Sequence, residues 1–234
     1  MGDFKFRNVT PGNGDIRLGS LAVNEIFFAN EKVWPASTDP NTETICSLLW
    51  QTVNTTTRDK QSAGLIPIVT NSTDWNNFLQ LGSPAACYVN FDSNNYGYGL
   101  LYNIFAKNQI SPPSGYRLPT SNDFISLSCS YSGNLNPLGA NPGEWDPQVL
   151  TNTTGLGDTG LDIQGYGYAN FNSTTSILQF QGFSRFEFYW MDAAPPSSPL
   201  WGVAASSSTN ALSQAGFGGT PSNAAAFIRF VKDL

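Results

Sequence analysis

An α+β fold, mostly strand and loop, with two short helices and a small β segment in front, is what the composition and patterning of this chain predict. Three observations carry that reading. Asn, Ser, Thr and Gly fill 88 of the 234 positions, and all four are poor helix formers. Aromatic residues nevertheless reach 13%, which argues against disorder, a state that needs few aromatics and high net charge. Only two stretches carry helix-start signals, whereas Thr, Tyr, Phe and Trp suit strands and turns.

Charge and residue usage then exclude functions. Charged residues make up 12% of the chain, about half the usual share. The net charge is −6 with a pI near 4.5 and no basic run, so nucleic acid is a poor partner. Histidine is absent, which removes Ser-His-Asp and Cys-His catalysis, imidazole metal ligation and the ordinary pH switch near neutrality. The first 15 residues hold no apolar stretch of secretory type, and no window is long and apolar enough to span a membrane, so neither export by that route nor membrane insertion is expected. Cys46, Cys87 and Cys129 are widely spaced with no CxxC pair. Free thiols in a reducing cytoplasm are the first expectation, and one disulfide with a spare thiol the second.

The elements follow in order. In residues 1–35, Phe4 and Phe6 alternate with charges. Ile26-Phe27-Phe28 and Lys32-Val33-Trp34 then flank Ala29-Asn30, where Asn tolerates the left-handed backbone of a tight hairpin. Such short strands bury no core of their own, so Phe4, Phe6, Ile26, Phe27, Phe28, Val33 and Trp34 are candidates for attachment or self-assembly. Residues 36–44 read as an exposed linker and 45–234 as one domain. Within it, Ser72 or Thr73 is placed to cap a helix with Trp75, Phe78 and Leu79 on one face. Thr120 is placed to cap a second, with Asp123 at the capping-box position and Phe124, Leu127 and Ser128 facing inward. Arg185–Trp190 alternates as a strand, and Ala225–Val231 reads as a terminal strand broken by Arg229. The Gly- and Asn-rich stretch 131–182 reads as a long loop excursion, the kind of segment where function sits.

Gly115-Tyr116-Arg117-Leu118-Pro119-Thr120, followed by Asp123-Phe124 and Leu127, resembles the Fibrobacter succinogenes major paralogous (FISUMP) domain of the C-type lectin-like fold group. Ile66–Thr70 with Asp74-Trp75, Ala86–Asp92, Tyr98–Asn103, Phe188-Tyr189-Trp190 and Ile228–Asp233 resemble further elements of that family, in order, from about Leu49 to the C-terminus. The resemblance implies a C-type lectin-like domain for presentation or binding. Read physically, its motifs are scaffold: Arg117 and Arg229 as donors to loop carbonyls and carboxylates, Asp123 as a capping group. Pro112 and Phe230 stand where the family has cysteines, which implies the loss of one bridge.

No catalytic set, cofactor or metal is expected. The carboxylates Glu144 with Asp146, and Asp158 with Asp162, lack both lectin-type calcium signatures and EF-hand spacing. Aromatics among Gly, Asn and Ser are the better argument for binding, and Trp145, Tyr166, Tyr168 and Trp201 are the candidate ligand residues, with Trp190 read as core. The N-terminal segment resembles attachment segments of phage fibre and decoration proteins. The first functional expectation is therefore a non-enzymatic structural virion protein of a tailed phage: a homotrimer held to capsid or tail proteins by its N-terminus, with a cell-surface glycan as ligand. The alternative is a bacterial cell-surface lectin-like adhesin.

Overall fold

The computed structural model describes residues 41–127, 135–139, 145–192, 199–206, 211–218 and 220–234, together with four strands between positions 17 and 34. The chain divides into two compact units, Met1–Thr42 and Glu43–Leu234. In the first, β1 (Arg17–Leu18) pairs antiparallel with β2 (Leu21–Ala22), and β3 (Ile26–Phe28) with β4 (Glu31–Trp34). Phe28 pairs with Glu31, the antiparallel pairing of the two strands expected there, while Ala29 and Asn30 lie outside the described residues. Phe4 and Phe6 lie outside the described residues.

From the boundary onward, β5 (Thr42–Ile45) and β6 (Leu48–Gln51) form a sheet whose other edge is the last strand of the chain, numbered β15 below. Thr42–Thr44 are thus strand rather than the end of a linker. Helix α1 (Ser72–Gln80) is capped by Asn71, whose side chain accepts the Asp74 N–H at 2.9 Å. The expected caps Ser72 and Thr73 lie inside the helix instead, and the Ser72 hydroxyl accepts the Leu178 N–H at 3.1 Å. Next come β7 (Ala86–Cys87), two 3-10 turns over 89–98, β8 (Leu101–Tyr102) and α2 (Ile104–Gln109). Helix α2 was not expected, so three α-helices rather than two are present among the described residues. Its cap is the fully buried Asn103, which accepts N–H groups from Ala106 and from Ala85 and donates to the Ser83 carbonyl. Helix α3 (Ser121–Ser126) carries the expected capping box between Thr120 and Asp123, and it buries Phe124 and Leu127. Ser128 lies outside the described residues.

The rest is strand: β9 (Tyr168–Asn172), β10 (Ile177–Gln181), β11 (Phe186–Trp190), β12 (Leu200–Ser206), β13 (Ala211–Ala215), β14 (Ala224–Ala225) and β15 (Val231–Asp233). The stretch expected as one long loop therefore contains a hairpin, β9–β10. Its turn is set by Asn172, whose Oδ1 accepts the N–H groups of Thr174 and Thr175. The expected terminal strand 225–231 is divided in two, with the buried Arg229 in the break. The sheets run β10-β9-β14, β11-β12-β13 and β15-β6-β5, with the pair β7-β8. Single bridges such as Gly167 to Glu187 and Tyr189 to Phe227 tie them together. The architecture is mixed α+β, mostly strands and loops.

Trp50, Trp75, Trp145 and Trp190 are fully buried in the two apolar clusters of this unit. Burying a large apolar side chain is worth about 1.5–3 kcal/mol, which is how so polar a chain sustains a core. Trp190 is core, as expected, and its indole N–H donates to the Tyr102 carbonyl at 2.7 Å. Cysteine chemistry departs from the first expectation. Cys46 is disulfide-bonded, while Cys87 is a buried free thiol whose pKa burial raises well above its usual value. Replacement of the family cysteines at Pro112 and Phe230 has therefore not left the chain without a bridge.

Candidate functional site

Two shallow depressions sharing Tyr166 form the candidate site. One, of about 160 Å³, lies between Val89-Asn90 and the segment from Phe180 to Phe183 at the end of β10, with Tyr166 and Tyr168 in its wall. The other, of about 70 Å³, is lined by Asn54, Tyr98, Gln164, Tyr166 and Arg229 among others. Three rings stand together here. Tyr98 stacks on Tyr166 with centroids 4.1 Å apart and planes 24° apart, and Phe183 lies 5.9 Å from Tyr98. Phe183 is 53% exposed, an uncommon position for a ring held by two others.

Local backbone places these rings. Gly167, between the two tyrosines, has φ +82°, and a Cβ there would meet the Gln181 carbonyl oxygen at 2.4 Å. Gly99, after Tyr98, has φ +87°, and a Cβ would meet the Asn54 Cβ at 2.4 Å. Only glycine lets the strands and turns approach so closely while both tyrosines turn toward the cleft.

Beneath the rings lies a buried polar network. Glu187, with no exposed surface, accepts hydrogen bonds from Asn54 Nδ2 at 2.8 Å and from the Tyr189 hydroxyl at 2.5 Å. The Tyr166 N–H reaches its other oxygen at 3.4 Å, and Arg229 stands 3.8 Å away. Arg229 donates through Nε to Asn54 Oδ1 at 2.9 Å, and through its terminal nitrogens to the carbonyls of Leu161 and Asp162. Its guanidinium also lies 5.2 Å from the Tyr189 ring centroid. Burial pushes the Glu187 pKa up, against Arg229 and the three donors that pull it down. Burial likewise holds the Tyr189 hydroxyl well above its usual pKa. Every oxygen of this carboxylate is committed to a donor, so the network holds the cleft in shape and presents no free base. Gln164 contributes differently: its Oε1 is buried without a hydrogen-bond partner, at the wall of the smaller depression.

Of the four candidate ligand residues, the structure brings two to this site. Tyr166 is in its centre. Tyr168 is at its edge, with its hydroxyl donating to Gln181 Oε1 at 2.9 Å and burial raising its pKa. The other two are core residues, not surface ones. Trp145 is 1% exposed, and Trp201 is 6% exposed and stacks on Phe124 at 4.3 Å. Large aromatic side chains gain from burial wherever the fold offers apolar partners. Tyr98, Phe183 and Gln164 were missed, although aromatics set between Gly, Asn and Ser are the signal that selected Tyr166, and both Asn95-Tyr96-Gly97-Tyr98-Gly99 and Gly182-Phe183-Ser184 carry it. Ile26, Phe27, Phe28, Val33 and Trp34 lie on β3 and β4 of the smaller unit.

The carboxylate pairs make no metal centre among the described residues. Asp146 is held below its ordinary pKa by the Gln148 N–H and by Arg185, whose Nε and Nη2 donate to it at 2.9 and 2.8 Å. Glu144 lies outside the described residues. The Asp162 carbonyl accepts from Arg229.

The model of the Fibrobacter succinogenes major domain matches residues 44–232. The chain belongs to this family. No curated protein matches it, and no solved structure does. The ordered elements that resemble the family include both arginines of the domain's ties. Arg117 joins Asp123 and Asp233 across the strand-to-helix junction, and Arg229 forms the floor of the aromatic cleft. No described helix is long and apolar enough to cross a membrane.

Proposed function

We propose that this Fibrobacter succinogenes major domain protein is a non-catalytic display protein whose larger unit binds glycans of a cell surface. One observation carries the reading: Tyr98, Tyr166 and Phe183 present a clustered, partly exposed ring surface beside the amides of Asn90, Gln164 and Gln181. Sugars offer apolar C–H faces to rings and hydroxyls to amides, and this cleft holds both kinds of partner, with Arg229 the one charged residue of its lining. Gln164 adds an amide to the wall of the smaller depression, and its Oε1 has no hydrogen-bond partner among the described residues. The commitment of Glu187 to its donors speaks for a binding role over an enzymatic one.

A bacterial cell surface is the location favoured by the Cys46 disulfide, since such bonds persist in oxidising surroundings. The second reading is the virion of a tailed phage, with trimers anchored on capsid or tail proteins. It draws on the paired hairpins β1–β2 and β3–β4, the short sheet edges an attachment segment would offer to a partner. The test is adhesion of fluorescently labelled full-length protein to whole bacterial cells. Retention that falls several-fold in Tyr98→Ala/Tyr166→Ala/Phe183→Ala, and on deglycosylated cells, is expected. Equal retention by wild type and the triple variant would refute the reading.

A further inference from the structure

Lys107 stands apart from the other cations of the domain. It lies in the last turn of α2 and is 7% exposed. The buried part is its stem, while Nζ, with three donors, reaches the adjoining cavity. Its anionic neighbour is Asp192, with Nζ to Oδ1 at 3.8 Å, beyond hydrogen-bond reach, and the Asp192 side chain is 71% exposed. No hydrogen bond from Nζ to a described residue accompanies that pair.

Both groups line a cavity of about 250 Å³, with Asn108, Ile110, Arg117 and Leu118 also in its wall. Arg117 adds no free charge, because its guanidinium is spent on Asp123 and Asp233. The wall is fixed by backbone ties: Ser111 N–H to the Asp59 carbonyl at 2.7 Å, Asp192 N–H to the Pro119 carbonyl at 2.8 Å. Gln61 Nε2 adds a bond to the Ile110 carbonyl at 3.2 Å. The space falls just below the roughly 300–1,000 Å³ of sites for drug-sized ligands, so an occupant has few heavy atoms.

We infer that this cavity is a binding site for a small zwitterion of the α-amino acid class, its carboxylate on Lys107 and its ammonium on Asp192. A simple anion would gain Lys107 but face the Asp192 carboxylate, and a simple cation would meet the reverse. A molecule with both charges satisfies the unspent donors and the loosely held carboxylate together, while Ile110 and Leu118 offer apolar surface to a short side chain.

The test is calorimetric titration of the full-length protein with glycine and with alanine, with sodium acetate and methylammonium chloride as controls at matched ionic strength. Saturable binding of the amino acids, tighter than of either control, is expected. Lys107→Met weakens amino-acid binding by about tenfold or more, the loss expected of one charged hydrogen bond. Asp192→Asn weakens amino-acid binding, and it strengthens acetate binding because the repelling carboxylate is gone. It changes an exposed side chain, so it keeps the test decisive if Lys107→Met does not fold. Absence of saturable amino-acid binding, acetate binding as tightly as glycine, or unchanged binding in Asp192→Asn would each overturn the assignment.

Discussion

Arg229 and Arg117 are both tied to carboxylates, yet they stand in opposite surroundings. Arg229 has 4% of its side chain exposed and faces a Glu187 with none, whereas Arg117 is 36% exposed and bridges Asp123, 12% exposed, to an Asp233 that is 72% exposed. The closer ion pair is at the exposed site: Arg117 meets Asp123 at 2.5 Å, and Arg229 stands 3.8 Å from Glu187. Distance alone would rank Arg117 as the stronger tie. Burial reverses the order, because removing one partner of a buried pair strands a charge away from water, while an exposed pair exchanges its partner for solvent.

The largest expected effect is therefore at Arg229. Arg229→Met leaves Glu187 buried without its counter-charge and is expected to cost about 3–5 kcal/mol, read from the urea midpoint of unfolding. Arg117→Met is expected to cost about 1 kcal/mol at most, with the loss shrinking in high salt as screening takes over. Equal losses, or a salt-sensitive loss at Arg229, would break the comparison. Thr120→Ala removes the cap beside Arg117 and is expected to cost about 1 kcal/mol.

The smallest effect concerns pH. Burial pushes the Asp123 carboxyl up, but hydrogen bonds from Arg117 and Thr120 outweigh it and hold the pKa below the ordinary value. A carboxyl lowered by folding contributes stability above its unfolded pKa and loses it as pH falls through the lowered one. Glu187 has the opposite sign: raised by burial, it favours the fold below its unfolded pKa and opposes it as pH rises through the folded one. Asp123→Asn should flatten the acid side of the stability profile. An acid limb as steep as in wild type would remove Asp123 from the account.

Local signals were legible in the sequence, and side-chain destinations less so. The pairing of β3 with β4, the Thr120–Asp123 box and the role of Arg229 as a loop tie all follow from short-range chemistry, because each is decided within a few residues or by one residue's donor count. Helix α2 escaped because its apolar start follows the strand-like Leu100-Leu101-Tyr102, although Asn103 before Ile104-Phe105-Ala106 is a cap signature. Trp145 and Trp201 sit among small polar residues that suggest a surface, yet both are buried in one apolar cluster, Trp201 against the distant Phe124. Tyr166 stands between Gly165 and Gly167, the setting of an aromatic among small residues that singles it out in the sequence. The Cys46 bridge was not, since pairing depends on where the chain brings two sulfurs.

The most direct measurement is aromatic-region NMR of the full-length protein titrated with purified bacterial envelope oligosaccharides. Saturable shifts confined to Tyr98, Tyr166, Tyr168 and Phe183, and lost in Tyr166→Ala, are expected. Shifts centred on other rings, or saturable sugar binding that survives Tyr166→Ala unchanged, would contradict glycan binding at this cleft.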